Sequence, residues 1–247
     1  MQDAERNREE MKLRAREFLQ SLEKELNAKV PPPAQMRDMV QKTVAEAKND
    51  PARPHMRQRE NAFLYQYALP IIFDHMQIVD GIGAEEARQS ILSEFYRNMK
   101  NFCVQTPARR QGHPFTKILG TKPADIIAQW TGDHGAALRQ ACPDIAFRDP
   151  FPFRIVFEGK YFEAGSAGKA KTELVACAYQ AFYYRALPYV PPRKLSPAWD
   201  YDFACLLVYD ASKRGCLKAV WNSLKPEVRR GFWDGANVYV MILRGTD

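Results

Sequence analysis

The sequence predicts an α+β or α/β fold with a helical N-terminal region. Three observations carry this. Apolar residues in the first hundred positions recur at steps of three and four, the spacing of a buried helix face. The runs at 153–162, 203–209 and 237–243 have the length and the β-branched and aromatic content of strands. Helical stretches separate those runs, giving the order α-β-β-α-β-α-β over the C-terminal part. The chain has 247 residues, 46% hydrophobic and 26% charged, which excludes a disordered or collagen-like polymer. No apolar run approaches the roughly 20 residues of a bilayer crossing, so no membrane span is expected.

Residues 4–29 place Met11, Ala15, Phe18, Leu22 and Leu26 on one helical face, with charges on the others. The Pro31-Pro32-Pro33 run ends that helix, because prolines donate no backbone hydrogen bond. A second helix is predicted over 35–48, ahead of Pro51 and Pro54, and a third, richly apolar one over 58–79 with a kink at Pro70. A fourth follows Gly81-Ile82-Gly83 over 84–101. Residues 102–121, with Pro107, Gly112, Pro114 and Gly120, read as loop. A helix over 122–140 then leads into strands at 144–147 and 153–162, which the turn chemistry between them joins as a hairpin. A long helix over 167–187 ends at Pro188, and a strand over 203–209, a helix over 215–230 and a strand over 237–243 follow. This divides the chain into a helical region, 1–101, and a mixed region, 102–247.

The net charge of +7 is unevenly placed. Residues 1–101 hold 16 Lys+Arg against 16 Asp+Glu, and residues 102–247 hold 20 against 13. A basic half beside a balanced one favours a polyanionic partner, nucleic acid before membrane, since no basic amphipathic anchor is evident. Mild basicity for solubility alone is the plainer alternative. Five scattered cysteines without disulfide or zinc-ligand spacing fit reduced thiols, and the polar N-terminus lacks the apolar stretch of a signal peptide. Both point to the cytoplasm. No Gly-x-x-x-x-Gly-Lys-Ser/Thr loop occurs, so no nucleotide cofactor is expected.

The stretch most informative for chemistry is Pro143-Asp144-Ile145-Ala146-Phe147 followed by Arg154-Ile155-Val156-Phe157-Glu158-Gly159-Lys160. Side chains alternate along a strand, so Glu158 and Lys160 share one face and Phe157 takes the other. An acid and a base on a strand of this apolarity need partners or a ligand, because an unpaired buried charge costs several kcal/mol. If the hairpin brings Asp144 alongside, two carboxylates and an ammonium converge. That set suits a hard, oxygen-seeking ion such as Mg²⁺ bridging to a phosphate, with the lysine placing a water.

Pro-Asp, then thirteen residues, then Glu-x-Lys at the end of an apolar strand resembles the signature of the PD-(D/E)xK nuclease superfamily, to which restriction endonucleases and RecB-like nucleases belong. The resemblance covers about residues 122–210. It implies an α/β/α core with a mixed central sheet, Asp144 and Glu158 as Mg²⁺ ligands, Lys160 as the catalytic lysine, and the Gly159 carbonyl as a further candidate ligand. Gln180-Ala181-Phe182-Tyr183-Tyr184 resembles the Gln-x-x-x-Tyr motif of the RecB-like branch. Gln180 and Tyr184 share a helical face, which Cys177, Glu173 and Lys169 extend toward the helix start. These side chains are expected to support the site or contact DNA. The superfamily core has three strands before its central helix, and the sequence displays two.

Other residues have a plain reading beside the functional one. His134 and Glu94 would be additional ligands in some relatives of this kind, yet surface histidines and solvated helix glutamates are commoner. His113, beside Arg109 and Arg110, would meet a phosphate backbone or simply lie in an exposed loop. Lys169/Lys171, Arg193/Lys194, Lys213/Arg214/Lys218 and Arg229/Arg230 are candidate phosphate contacts or solvated helix ends. Trp199, Tyr201 and Tyr183 would stack on bases or pack in the core. The helical region 1–101 is expected to serve in homodimerisation, for which the apolar stripe of the first helix offers a face, or in DNA recognition; the plain reading is that the stripe packs on its own core. The expectation taken together is a Mg²⁺-dependent DNA endonuclease similar to type II restriction enzymes. The alternatives are a RecB-like exonuclease or nuclease subunit, and a non-catalytic nucleic-acid-binding protein in which Glu158 and Lys160 form a structural ion pair.

Overall fold

The computed structural model describes residues 2–49, 58–80, 91–93, 144–147, 152–163, 165–186 and 202–246. Helix α1 spans Gln2–Lys29 and α2 spans Pro33–Lys48, started by Pro33, whose missing N–H costs nothing at a first turn. Helix α3 covers Arg59–Phe63, widens into a π turn over Leu64–Ala68 and continues as α4, Leu69–Asp80. The π turn is the expected distortion at Pro70: that residue cannot donate to the carbonyl one turn back, and its ring crowds the same group.

Strands β1, Ile91–Ser93, β2, Ile145–Phe147, and β3, Ile155–Phe162, precede a long helix α5, Ala167–Ala186. Strand β4, Phe203–Asp210, helices α6, Cys216–Ser223, and α7, Pro226–Asp234, and strand β5, Val238–Leu243, follow. Among the described residues the strands form one sheet in the order β1-β2-β3-β4-β5. The first three are antiparallel neighbours, and β3, β4 and β5 run parallel. The fold is therefore mixed helix and strand, as expected.

Two expectations are corrected. Residues 91–93 lie inside the helix predicted over 84–101, but they are a strand whose Ile91, Leu92 and Ser93 pair with Phe147, Ala146 and Ile145. Pairing with β2 overrides the local helical pattern. The helix predicted over 215–230 is two helices, because Pro226 cannot continue the first and instead opens the second. Arg229 and Arg230 accordingly sit within α7 rather than at a helix end. The predicted helix over 122–140, the loop over 102–121, and His113, His134, Arg193, Lys194, Trp199 and Tyr201 lie outside the described residues, as do most of 84–101 with Glu94 and the 101/102 division.

Both faces of the parallel strands are covered, which is why β4 is apolar from Phe203 to Tyr209 and buried throughout. Ile155, Phe157, Phe203, Cys205, Leu207, Tyr209 and Met241 face α1 to α4, while Val156, Ala204, Leu206, Val208, Val240 and Ile242 face α5 and α6. The stripe of α1 belongs to the first cluster: Ala15, Phe18, Leu22 and Leu26 are buried in the chain's own core, so that stripe is not a free dimer face. Polar contacts fix the helix on its layer. Tyr239 Oη donates to Glu23 at 2.7 Å, Glu25 meets His75 Nδ1 at 2.6 Å, and Tyr67 Oη donates to the Leu26 carbonyl at 2.6 Å. Among the described residues, no helix is long and apolar enough to cross a membrane.

Candidate active site

The hairpin of β2 and β3 sets the site. Ile145 pairs with Phe157, so Asp144, one residue before β2, comes level with the Glu158-Gly159-Lys160 end of the pairing. Its Oδ2 accepts the Gly159 N–H at 2.7 Å. The π turn holds the same corner from the other side, where Tyr65 Oη donates to the Asp144 carbonyl at 3.2 Å. A Cβ on Gly159 would collide with the Leu64 side chain of that turn, and Leu64 is fully buried. The close approach of helix and strand therefore requires glycine at this position. Gly159→Ala is expected to destabilise the fold by about 1–3 kcal/mol through overpacking. Urea unfolding checks this, and Leu64→Ala in the same chain should recover part of the loss.

Glu158 and Lys160 share the opposite face of β3, as alternation predicts, and Lys160 Nζ lies 2.7 Å from Glu158 Oε1. A third acid, Glu60 from the first turn of α3, meets the same ammonium at 3.0 Å. Next to it, Arg59 pairs with Glu163 beyond the end of β3 in a largely exposed contact. Carboxylate oxygens of Glu60, Asp144 and Glu158 all lie within 4.8 Å of one another, the arrangement of a candidate metal centre. Asp144 and Glu158 are buried.

The charges are unbalanced: three carboxyl groups surround one ammonium. Burial, then the neighbouring Glu158 and Glu60, push the Asp144 carboxyl well above its ordinary value, against Lys160 and the Gly159 N–H. Burial alone would lower the Lys160 ammonium, but Glu158, Glu60 and Asp144 together outweigh it and hold it well above its ordinary value. Lys160 is therefore charged throughout the neutral range, and its contribution to stability fades only as pH rises through that raised value. A carboxyl with a raised folded pKa binds its proton more tightly folded than unfolded. The Asp144 contribution is therefore greatest below the ordinary carboxyl value and declines as pH climbs through the raised one. Without divalent cations, Asp144→Asn should gain stability relative to wild type as pH rises from mildly acidic to neutral. Urea unfolding in EDTA across that range checks the sign, and a constant difference would contradict it.

The helix after the site is placed as the sequence predicts. Cys177 on α5 is buried, and Lys160, Glu158 and Glu60 all act on its thiol, which burial pushes well above its ordinary value. Its Sγ donates to Glu173 Oε1, one turn back, at 3.7 Å. Gln180 is half-buried further along α5, whereas Lys169 is exposed near its start and Glu173 is exposed as well. Tyr184 follows Gln180 by one turn, and its side chain, like that of Tyr183, lies outside the described residues. Of the basic groups, Lys169, Lys171, Lys213 and Arg214 are exposed and Lys218 is half-buried.

The sequence reading missed Glu60. Nothing local marks it, since an acid in the first turn of a helix is ordinary chemistry. Its contact with Lys160 spans 100 residues of sequence and is decided by the packing of α3 on β3, which no local pattern reports. Comparison with protein-family models, with curated proteins and with solved structures finds no match to this chain.

Proposed function

We propose that the chain is a Mg²⁺-dependent nuclease that hydrolyses phosphodiester bonds within DNA, in the manner of PD-(D/E)xK endonucleases. The observation that carries this reading is the convergence of Glu60, Asp144 and Glu158 around Lys160. The donor set fits a hard dication: three carboxylates supply oxygen alone, and their excess negative charge over one ammonium is what such an ion would neutralise. When bound, it would polarise the phosphoryl group and favour ionisation of a water. Asp144 and Glu158 would hold it from the hairpin and Glu60 from α3, as the additional ligand for which Glu94 is a candidate in the sequence. Lys160 would orient the attacking water and steady the charge that develops on the phosphate. Strand β1 supports the reading further, as the third strand ahead of the central helix that the superfamily core has.

Purified protein should therefore cut supercoiled plasmid with Mg²⁺ and leave it intact in EDTA. Discrete fragments would favour an endonuclease, and progressive loss from the ends of linear DNA the RecB-like exonuclease. Absence of cutting by folded protein with either Mg²⁺ or Mn²⁺ would sink the catalytic reading. One observation favours a second reading, a nucleic-acid-binding protein with a structural ion network: Lys160 is already doubly paired, by Glu158 and Glu60. That reading requires DNA binding indifferent to Mg²⁺.

A further inference from the structure

A second cluster of chemistry lies at the outer edge of β5. Leu206 on β4 pairs with Glu158 on one side and with Val240 on the other. Val240 therefore stands level with Glu158 two strands away, about 10 Å across the sheet. There β5 lines a groove of about 320 Å³ together with α1, α6 and α7. Its lining includes Arg16 from α1, Trp221 from α6, and Arg229 and Arg230 from α7.

The charges in this groove do not cancel. Glu23 is the acid in its lining, and its carboxylate is engaged by Tyr239 Oη at 2.7 Å. Burial pushes the Glu23 carboxyl above its ordinary value, against Tyr239 and the Lys218 ammonium. Arg230 meets Glu227 at 3.3 Å, but both side chains are largely exposed, and such a pair holds little and exchanges readily. The Nε of Arg229 is buried with no hydrogen-bond partner among the described residues, a donor position that calls for an acceptor. Two tryptophans line the groove and differ in burial. Trp233 is buried and stacked on Phe203 at 5.2 Å, whereas Trp221 is half-buried, with one side packed against Phe232 at 5.5 Å and the rest open to the groove.

We infer that this groove binds a single strand of nucleic acid, with Arg16, Arg229 and Arg230 on its phosphates and a base stacked on Trp221. As a surface that holds one strand of the substrate where it is unpaired beside the site, it rests on the function proposed above. Guanidinium groups match phosphate oxygens in pairs. An unpaired base offers the indole a face, while a duplex keeps its bases inside and would leave Trp221 uncovered. An acidic peptide would answer the arginines but not the indole.

The test is binding of a labelled oligothymidylate of about 12 nucleotides to the full chain in EDTA, read by fluorescence anisotropy. Wild type should bind the single strand more tightly than a duplex of equal length. Arg229→Ala with Arg230→Ala should weaken binding about ten-fold or more, and should flatten the dependence of log affinity on log salt by about 1.4, two contacts at roughly 0.7 each. Trp221→Ala should cost about ten-fold and Trp221→Phe much less, because phenylalanine still stacks. Binding in the double arginine variant equal to wild type overturns the assignment, as does equal affinity for duplex. Displacement by polyglutamate at matched charge also overturns it, in favour of an acidic peptide. Because no metal is present, the outcome is separate from cleavage: a strand held by these residues in a protein that never cuts leaves the groove standing and the nuclease reading fallen. Cutting with unaltered binding in the arginine variant does the reverse.

Discussion

Glu158→Gln is expected to eliminate Mg²⁺-dependent cleavage, by at least about 10³-fold, while leaving the fold intact. The size follows from the several kcal/mol that a bound dication contributes to the transition state, at 1.36 kcal/mol for each factor of ten. The variant is nearly isosteric, so it leaves no cavity beside Leu206, the β4 neighbour of Glu158. It removes one negative charge from a cluster that has too many, and Lys160 keeps Glu60 at 3.0 Å. Stability in EDTA should therefore match or exceed that of wild type. The two measurements belong together: loss of cleavage and loss of the Mg²⁺-induced rise in Tm, with no fall in Tm in EDTA. A structural ion pair predicts the opposite pattern, because the substitution would then weaken the protein with or without metal.

The contrast between what the sequence displayed and what it concealed is one of interaction range. Asp144, Glu158 and Lys160 lie within one hairpin, where alternation and turn chemistry determine which side chains meet, and that part of the site is legible in the sequence. Helix α5 was legible for a similar reason, since its 3.6 periodicity and Pro188 bound it and put Cys177 and Gln180 on a shared face. Glu60 reaches the same ammonium from 100 residues away, and only packing decides that contact. Strand β1 failed differently. Three residues are too few to display a period, and the acidic, alanine-containing surroundings of Ile91 read as helix until β2 supplies the pairing partner. The break at Pro226 was readable by a local rule, since proline inside a helical pattern ends it. The apolar periodicity on either side concealed that stop.

Lys160 distinguishes a catalytic site from a structural network most sharply. In EDTA, Lys160→Met should destabilise the protein by about 3 kcal/mol, since it leaves Glu158 and its neighbours facing one another with no cation and removing one partner of a buried pair has a cost of this size. The side chain is 16% exposed, so solvent screening reduces this only modestly. A loss of stability on its own therefore fits either role. Metal decides between them. If the carboxylates form a dication site, Mg²⁺ takes over the neutralising task of the missing ammonium and should restore about 2.7 kcal/mol at a concentration one hundred times its dissociation constant. Cleavage should stay depressed by about 10²–10³-fold, the usual loss when a single preorganised donor is removed from a developing charge. Lys160→Arg adds the control: the charge is kept, so stability in EDTA should hold near wild type, while the larger planar head displaces the water position and cleavage still falls. A Met variant that Mg²⁺ cannot rescue, beside an Arg variant indistinguishable from wild type in every assay, would assign Lys160 to the fold alone.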